Sequence, residues 1–323
     1  MGPTCKYLCE LLGYDKFLPM NSGAEAGETA VKLARRWGYV KKGIPDNQAK
    51  IVVMEGNFWG RTITASGACD DPSRYDKFGP FTPGFPLVPF DDSEAIRKLF
   101  ESDPTIAGIL LEPIQGERGV IIPHANYLKE VRRLCTKHNV LMMLDEIQTG
   151  FGRTGRMMAY EWDTDEKPDI LIVGKALSGG LMPVSGAFCD DDIMLNIKPG
   201  EHGSTYGGNP LAMAVARTAI RTMVEEKMPE NALKMGEILH DHLAKIKSPM
   251  ICDQRGRGLF RAIEVTHDSR VNGHDLAYIL MKLGLLTKAT HDYSLRLAPA
   301  LVINEEQVKE AASVIAEGVK VLE

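Results

Sequence analysis

The chain has 323 residues, enough for one large and one small domain with well-buried cores. Hydrophobic residues make up 44% and charged residues 25%, ordinary for a globular enzyme, and a net charge of −5 leaves no electrostatic footprint for nucleic acid. No apolar run approaches the roughly 20 residues of a membrane span, and the six cysteines are too scattered for a disulfide framework, so a reducing compartment is expected.

The chain opens on Lys6-Tyr7-Leu8-Cys9-Glu10-Leu11-Leu12, which reads as a helix packed on a neighbour. It carries neither a signal-peptide nor an Arg-rich transit pattern. Cys5 and Cys9 stand one helical turn apart with no second Cys or His pair at zinc spacing, so no metal is expected. Residues 17–20 form a short apolar stretch that stops at Asn21-Ser22-Gly23. Ala26, Ala30, Leu33, Ala34 and Trp37 then recur at helical spacing. Residues 51–54 read as a buried strand, and 79–89 as a Pro/Gly-rich irregular loop. A strand over 106–111 ends at Glu112, an amphipathic helix covers 127–138, a strand over 140–144 ends at Asp145, and a strand over 170–173 ends at Gly174-Lys175.

Short, continuously apolar strands alternating with helices predict an α/β fold: a mainly parallel sheet covered by helices on both faces. From about residue 225 long charged helices, such as 231–247, frame strands near 258–265 and 294–297. The expected division is therefore a large domain over 1–225 and a smaller α+β domain over 226–323.

Parallel α/β sheets bind ligands beyond the carboxyl ends of their strands. Four strands deliver polar or glycine-rich punctuation there: Ser22-Gly23-Ala24, Glu112, Asp145 and Lys175. That set matches what pyridoxal 5′-phosphate asks of a protein. A lysine forms a Schiff base with its aldehyde, a carboxylate keeps the pyridine nitrogen protonated, and backbone amides at a helix start hold the phosphate. Each residue alone has a plainer reading. Lys175 suits a solvated strand end, Asp145 a helix cap, and Ser22-Gly23 an N-cap pair. A Rossmann reading is weak, because Arg261 stands where the third glycine after Gly256 and Gly258 belongs.

Longer motifs carry a resemblance. Met20-Asn21-Ser22-Gly23-Ala24-Glu25-Ala26, Gly56-Asn57-Phe58-Trp59-Gly60-Arg61, Glu112-Pro113-Ile114-Gln115-Gly116-Glu117 and Asp145-Glu146-Ile147-Gln148-Thr149-Gly150 come first. Gly174-Lys175-Ala176-Leu177-Ser178-Gly179-Gly180, the stretch Glu201-His202-Gly203-Ser204-Thr205-Tyr206-Gly207-Gly208-Asn209-Pro210, and Arg296-Leu297-Ala298-Pro299 follow. Together they resemble the class III aminotransferases of the fold-type-I pyridoxal-phosphate enzymes, over nearly the whole chain. Within that family the second and sixth stretches are most similar to the branch that takes ornithine as amino donor and 2-oxoglutarate as acceptor.

The resemblance implies further roles. Phe58 covers one face of the cofactor ring, with Trp59 as packing or pocket wall. Gln148 bonds the cofactor's phenolic oxygen. Ser204 and Thr205 reach across a homodimer to the partner's phosphate, so that active sites are shared. Arg61 holds a substrate carboxylate with its bidentate fork. Glu117 masks Arg296 while ornithine reacts and releases it for 2-oxoglutarate, and Glu112 positions polar groups nearby. The resemblance also implies an N-terminal segment ahead of Met20 that lines the donor pocket; about twenty residues stand there in this sequence. Family members are mitochondrial or cytosolic. Acetylornithine or 4-aminobutyrate as donor, and a homologue that only binds cofactor or dimerises, are the competing readings.

Overall fold

The computed structural model describes residues 1–267 and 270–323. The chain divides into two compact units. The first comprises Met1–Pro113, Pro123–Gln148 and Tyr160–Thr222, and the second Ile114–Ile122, Thr149–Ala159 and Met223–Glu323.

The first unit is built on seven strands: β1 (Lys16–Met20), β2 (Lys50–Met54), β3 (Leu87–Val88), β4 (Ile106–Leu111), β5 (Leu141–Asp145), β6 (Ile170–Val173) and β7 (Ser185–Cys189). Their order across the sheet is β1-β7-β6-β5-β4-β2-β3. Neighbours from β6 to β3 pair in parallel, while β7 runs antiparallel to both β1 and β6. Side chains alternate across the sheet, and both faces are apolar. Ile51, Val53, Leu110 and Met143 pack with Ala26, Ala30, Leu33, Ala34 and Trp37 of one helix. Val52, Met54, Ile109, Leu111, Met142 and Leu144 pack on the other side with Tyr127, Leu128, Val131 and Phe100. Two-sided burial is why these strands read as unbroken apolar runs. Helices α1 (Gly2–Leu12) and α2 (Gly23–Trp37) are the first two of the unit.

The expected loop over 79–89 holds a short strand after all. Leu87 and Val88 extend the sheet in parallel beside Val53 and Met54. The prolines on either side masked it, yet the Pro86 carbonyl still accepts from Val53 N–H at 3.0 Å. β7 carried little signal, since Ser185, Gly186 and Ala187 are weak strand formers.

The second unit has an antiparallel sheet, order β10-β11-β9-β8. These strands are β8 (Ile251–Arg257), β9 (Phe260–Val265), β10 (Lys288–Thr290) and β11 (Ser294–Leu297). Ile263, Val265, Leu295 and Leu297 pack against helices Met228–Leu243, Gly273–Lys282 and Glu305–Leu322. Phe260 and Ala262 cluster separately with Ile114 and Val120. That second apolar face explains a departure from the expected 225/226 division. Residues Ile114–Ile122 leave the first unit, close a hairpin-like bridge between Gln115 and Ile121, and cover it. Thr149–Ala159 also belongs to the second unit, anchored by Arg153, whose guanidinium donates to the carbonyls of Pro299 at 2.6 Å and Leu259 at 3.2 Å.

Candidate active site

β1, β4, β5 and β6 point the same way, so their carboxyl ends share one edge of the first sheet. A cavity of about 360 Å³ opens at that edge. The four polar clusters singled out in the sequence meet there: Ser22, Gly23 and Ala24 at the start of α2, then Glu112, Asp145 with Gln148, and Lys175. Phe58, Trp59 and Gly60 supply one wall. Met182, Pro183 and Val184, unforeseen because they lead into β7, supply another, and so does Ile147.

The start of α2 is locally determined. Ser22 is the N-cap, and its Oγ accepts from Glu25 N–H at 3.3 Å. The Glu25 carboxylate reaches back to the amides of Ser22 at 2.6 Å and Asn21 at 3.0 Å, completing a capping box. Ser185 Oγ of β7 donates to the Ser22 carbonyl at 2.6 Å and ties the cap to the sheet. Gly23 and Ala24 are the first two helical residues, so their amides have no intrahelical acceptor. Both line the cavity. A helix N-terminus with two such amides suits an anion. The approach is close: Gly60 has φ +148°, and a Cβ there would stand 2.9 Å from Ala24 Cβ.

Asp145 ends β5 and is 5% exposed. Burial pushes its carboxyl up to about 6, against the opposing pull of the Ile147 amide, which donates to Oδ1 at 2.9 Å, and of the Lys175 charge. A carboxylate in this state gains from a cation placed beside it. Lys175 follows β6 in an exposed position and has φ +38°, a conformation that costs a non-glycine residue about 1–3 kcal/mol. Strain on a lysine at a cavity rim is a recurrent mark of functional sites.

Phe58 N–H donates to the buried carboxylate of Glu112 at 3.1 Å, which fixes the wall to the end of β4. The guanidinium of Arg74 lies 4.8 Å from the Phe58 ring centroid and that of Arg61 lies 5.9 Å away. Arg61 is exposed and outside the cavity lining. Trp59 is 4% exposed and packs towards Phe85, so it serves as a wall and as core together. Ser204 and Thr205 do not line the cavity. Ser204 Oγ instead accepts from Asn21 Nδ2 at 2.9 Å and from Gly207 N–H at 3.1 Å, just ahead of α2, while Thr205 is exposed.

Glu117 and Arg296 both belong to the second unit. Arg296 Nη1 donates to Glu117 Oε1 at 2.7 Å and to the Gly116 carbonyl at 3.2 Å. Burial alone would raise the Glu117 carboxyl, but the hydrogen bond and charge of Arg296, with Lys288 adding to them, hold it down at about 2.

The first-unit cavity fits pyridoxal phosphate by the chemistry of its donors. Two helix-start amides suit a phosphate, the uncomfortable Asp145 carboxylate suits a protonated ring nitrogen, and Lys175 suits an aldehyde. The class-III aminotransferase family model matches residues 1–319. The chain belongs to this family. It is 51% identical over 315 residues to the mitochondrial ornithine aminotransferase of Rattus norvegicus, covering 98% of this chain and 71% of the rat protein. A crystal structure of the Toxoplasma gondii ornithine aminotransferase, with PLP at partial occupancy in its active site, superposes with a TM-score of 0.96 at 44% identity. The match covers 99% of this chain and 77% of that one. The acetylornithine aminotransferase of Elizabethkingia anophelis superposes with a TM-score of 0.88, also at 44% identity, over 99% of this chain and 78% of that one. As a class-III aminotransferase, the chain is a fold-type-I enzyme with a mainly parallel large sheet and a smaller antiparallel one.

Proposed function

We propose that this class-III aminotransferase moves the δ-amino group of ornithine to 2-oxoglutarate, giving glutamate semialdehyde and glutamate, with pyridoxal phosphate as cofactor. The observation that carries the donor choice is the closed Glu117–Arg296 pair. A neutralised arginine suits a donor that presents a distal amine rather than its α-carboxylate. The same arginine, once released, suits a dicarboxylate acceptor.

The amides of Gly23 and Ala24 would hold the phosphate, helped by the positive end of α2. With the cofactor bound, Asp145 would pair with the protonated ring nitrogen, Phe58 would cover a ring face, and Gln148 would bond the phenolic oxygen. Lys175 is the point of attachment. When bound, the cofactor supplies an electron sink for the pair left behind as the donor carbon loses its proton. Lys175 Nζ would take that proton from the donor carbon and deliver it to the cofactor carbon within the same half-reaction, and would carry one the opposite way for the acceptor. Arg61 holds the substrate α-carboxylate, and Trp59 and Glu112 shape the pocket around it. Ser204 and Thr205 complete the phosphate site of a second copy, so the working unit is at least a homodimer. Among the described residues no helix is long and apolar enough to cross a membrane, and the mitochondrial rat relative supports a mitochondrial matrix location, with the cytoplasm as the alternative.

Initial rates over a grid of both substrates test the reading. Parallel reciprocal plots are expected, since the amino group rests on the enzyme between half-reactions; intersecting lines contradict it. A donor panel decides the rest. Ornithine should exceed N-acetylornithine and 4-aminobutyrate in kcat/KM, and preference for N-acetylornithine would move the assignment to the Elizabethkingia-type specificity.

A further inference from the structure

Glu117 is gripped by two cations. Arg296 Nη1 bonds Oε1 at 2.7 Å, and Lys288 Nζ bonds Oε2 at 3.4 Å. The two cations sit on adjacent strands, and Lys288 of β10 is the register partner of Arg296 of β11. Directly opposed residues share one face of an antiparallel ladder, and two like charges there are destabilising. Glu117 lies between them and relieves that repulsion. Lys288 contributes little to folding, because its side chain is 62% exposed and ion pairs of that kind are weak. Its position is informative in another way. When Arg296 turns to a substrate carboxylate, Glu117 loses its main partner while partly buried, which is costly unless another cation stays with it.

We propose that Lys288 is that cation: a positioning residue that keeps Glu117 when Arg296 leaves and so lowers the cost of opening the pair for a dicarboxylate acceptor. The inference rests on the assignment of Glu117 and Arg296 above. Lys288 acts twice in the same direction. It competes with Arg296 for Glu117 in the closed pair, and it neutralises Glu117 in the open one. The acceptor's carboxylate then meets an arginine already partly released.

The test uses the holoenzyme and two readouts. Lys288→Met keeps the length of the stem and removes the charge. The expected result is a rise in KM for 2-oxoglutarate of up to about fivefold, the reach of an exposed ion pair, while the ornithine half-reaction keeps its rate. Affinity for glutarate, an unreactive dicarboxylate, should fall by the same factor in calorimetry. Both effects should shrink at high salt, as an exposed charge requires, and Lys288→Arg should restore them. In a Glu117→Gln background, Lys288→Met should change neither value, because the carboxylate it serves is gone. An unchanged KM and glutarate affinity in Lys288→Met, with Glu117→Gln still altering both, overturns the role of Lys288 alone. If Glu117→Gln also leaves both unchanged, the assignment of the Glu117–Arg296 pair fails and the inference falls with it.

Discussion

Asp145 and Glu117 are both carboxylates shielded from water, and they are perturbed in opposite directions. Asp145 is raised to about 6 because burial outweighs one amide and the Lys175 charge. Glu117 is held at about 2 because Arg296 and Lys288 outweigh its burial. The first carboxylate thus favours a further cation beside it, and the second already has Arg296 and Lys288. A resident cofactor and the proposed exchange of two substrates ask for these two states respectively.

The sharpest way to break that contrast is at the cofactor end. Lys175→Ala should lower turnover by more than about 10⁴-fold, since it removes both the attachment point and the proton carrier. Retained transamination, followed as glutamate formed, would refute the assignment. Asp145→Asn keeps an acceptor for the Ile147 amide but gives up the charge. Turnover should fall about 10²–10³-fold, the size of a single preorganised electrostatic contact.

The folded Asp145 carboxyl at about 6 lies above its ordinary value of 3.8. Its contribution to stability is therefore fully present below about pH 4 and is lost as the pH rises through 6. Cofactor-free Asp145→Asn should melt above the cofactor-free native protein at pH 8, by up to about 3 kcal/mol in free energy. The gap should close as the pH falls from 6 towards 4. A variant that melts lower at pH 8 would mean that the carboxylate is comfortable without a cation.

At the substrate end the effects are smaller. Glu117→Gln frees Arg296 from a charged hydrogen bond, so KM for 2-oxoglutarate should drop about tenfold and the preference for ornithine over α-carboxylate donors should weaken. The Glu117 carboxyl is depressed to about 2 and stays ionised from pH 5 to 8, so its grip on Arg296 gives no pH dependence to the acceptor KM in that range. The smallest effect belongs to Lys288→Met, at the scale of an exposed charge.

Much of the first unit was legible in sequence, and for a physical reason. Ile51 to Met54, Ile106 to Leu111 and Ile170 to Val173 are apolar on both faces, so they stand out as unbroken runs. The punctuation after them lies on one edge because the strands are parallel, which brought Ser22, Glu112, Asp145 and Lys175 to one cavity. What stayed hidden depends on long-range packing. β7 is made of small residues and shows itself only through its two neighbours. The passage of Ile114–Ile122 into the second unit follows from the bare face of Phe260 and Ala262, more than 130 residues downstream. The second cation on Glu117 depends on the register that sets Lys288 opposite Arg296. Arg61 and Thr205 were named through motif likeness, and both are exposed and outside the cavity lining.

The most direct test of the central claim, that the cavity holding Asp145 and Lys175 accepts an amino group from ornithine, is a visible absorption spectrum of the purified chain with pyridoxal phosphate, recorded before and after ornithine is added without 2-oxoglutarate. A band from the lysine-linked cofactor is expected, one that bleaches on adding ornithine and returns when 2-oxoglutarate follows. A band that ornithine leaves untouched, or no band at all, would contradict that claim.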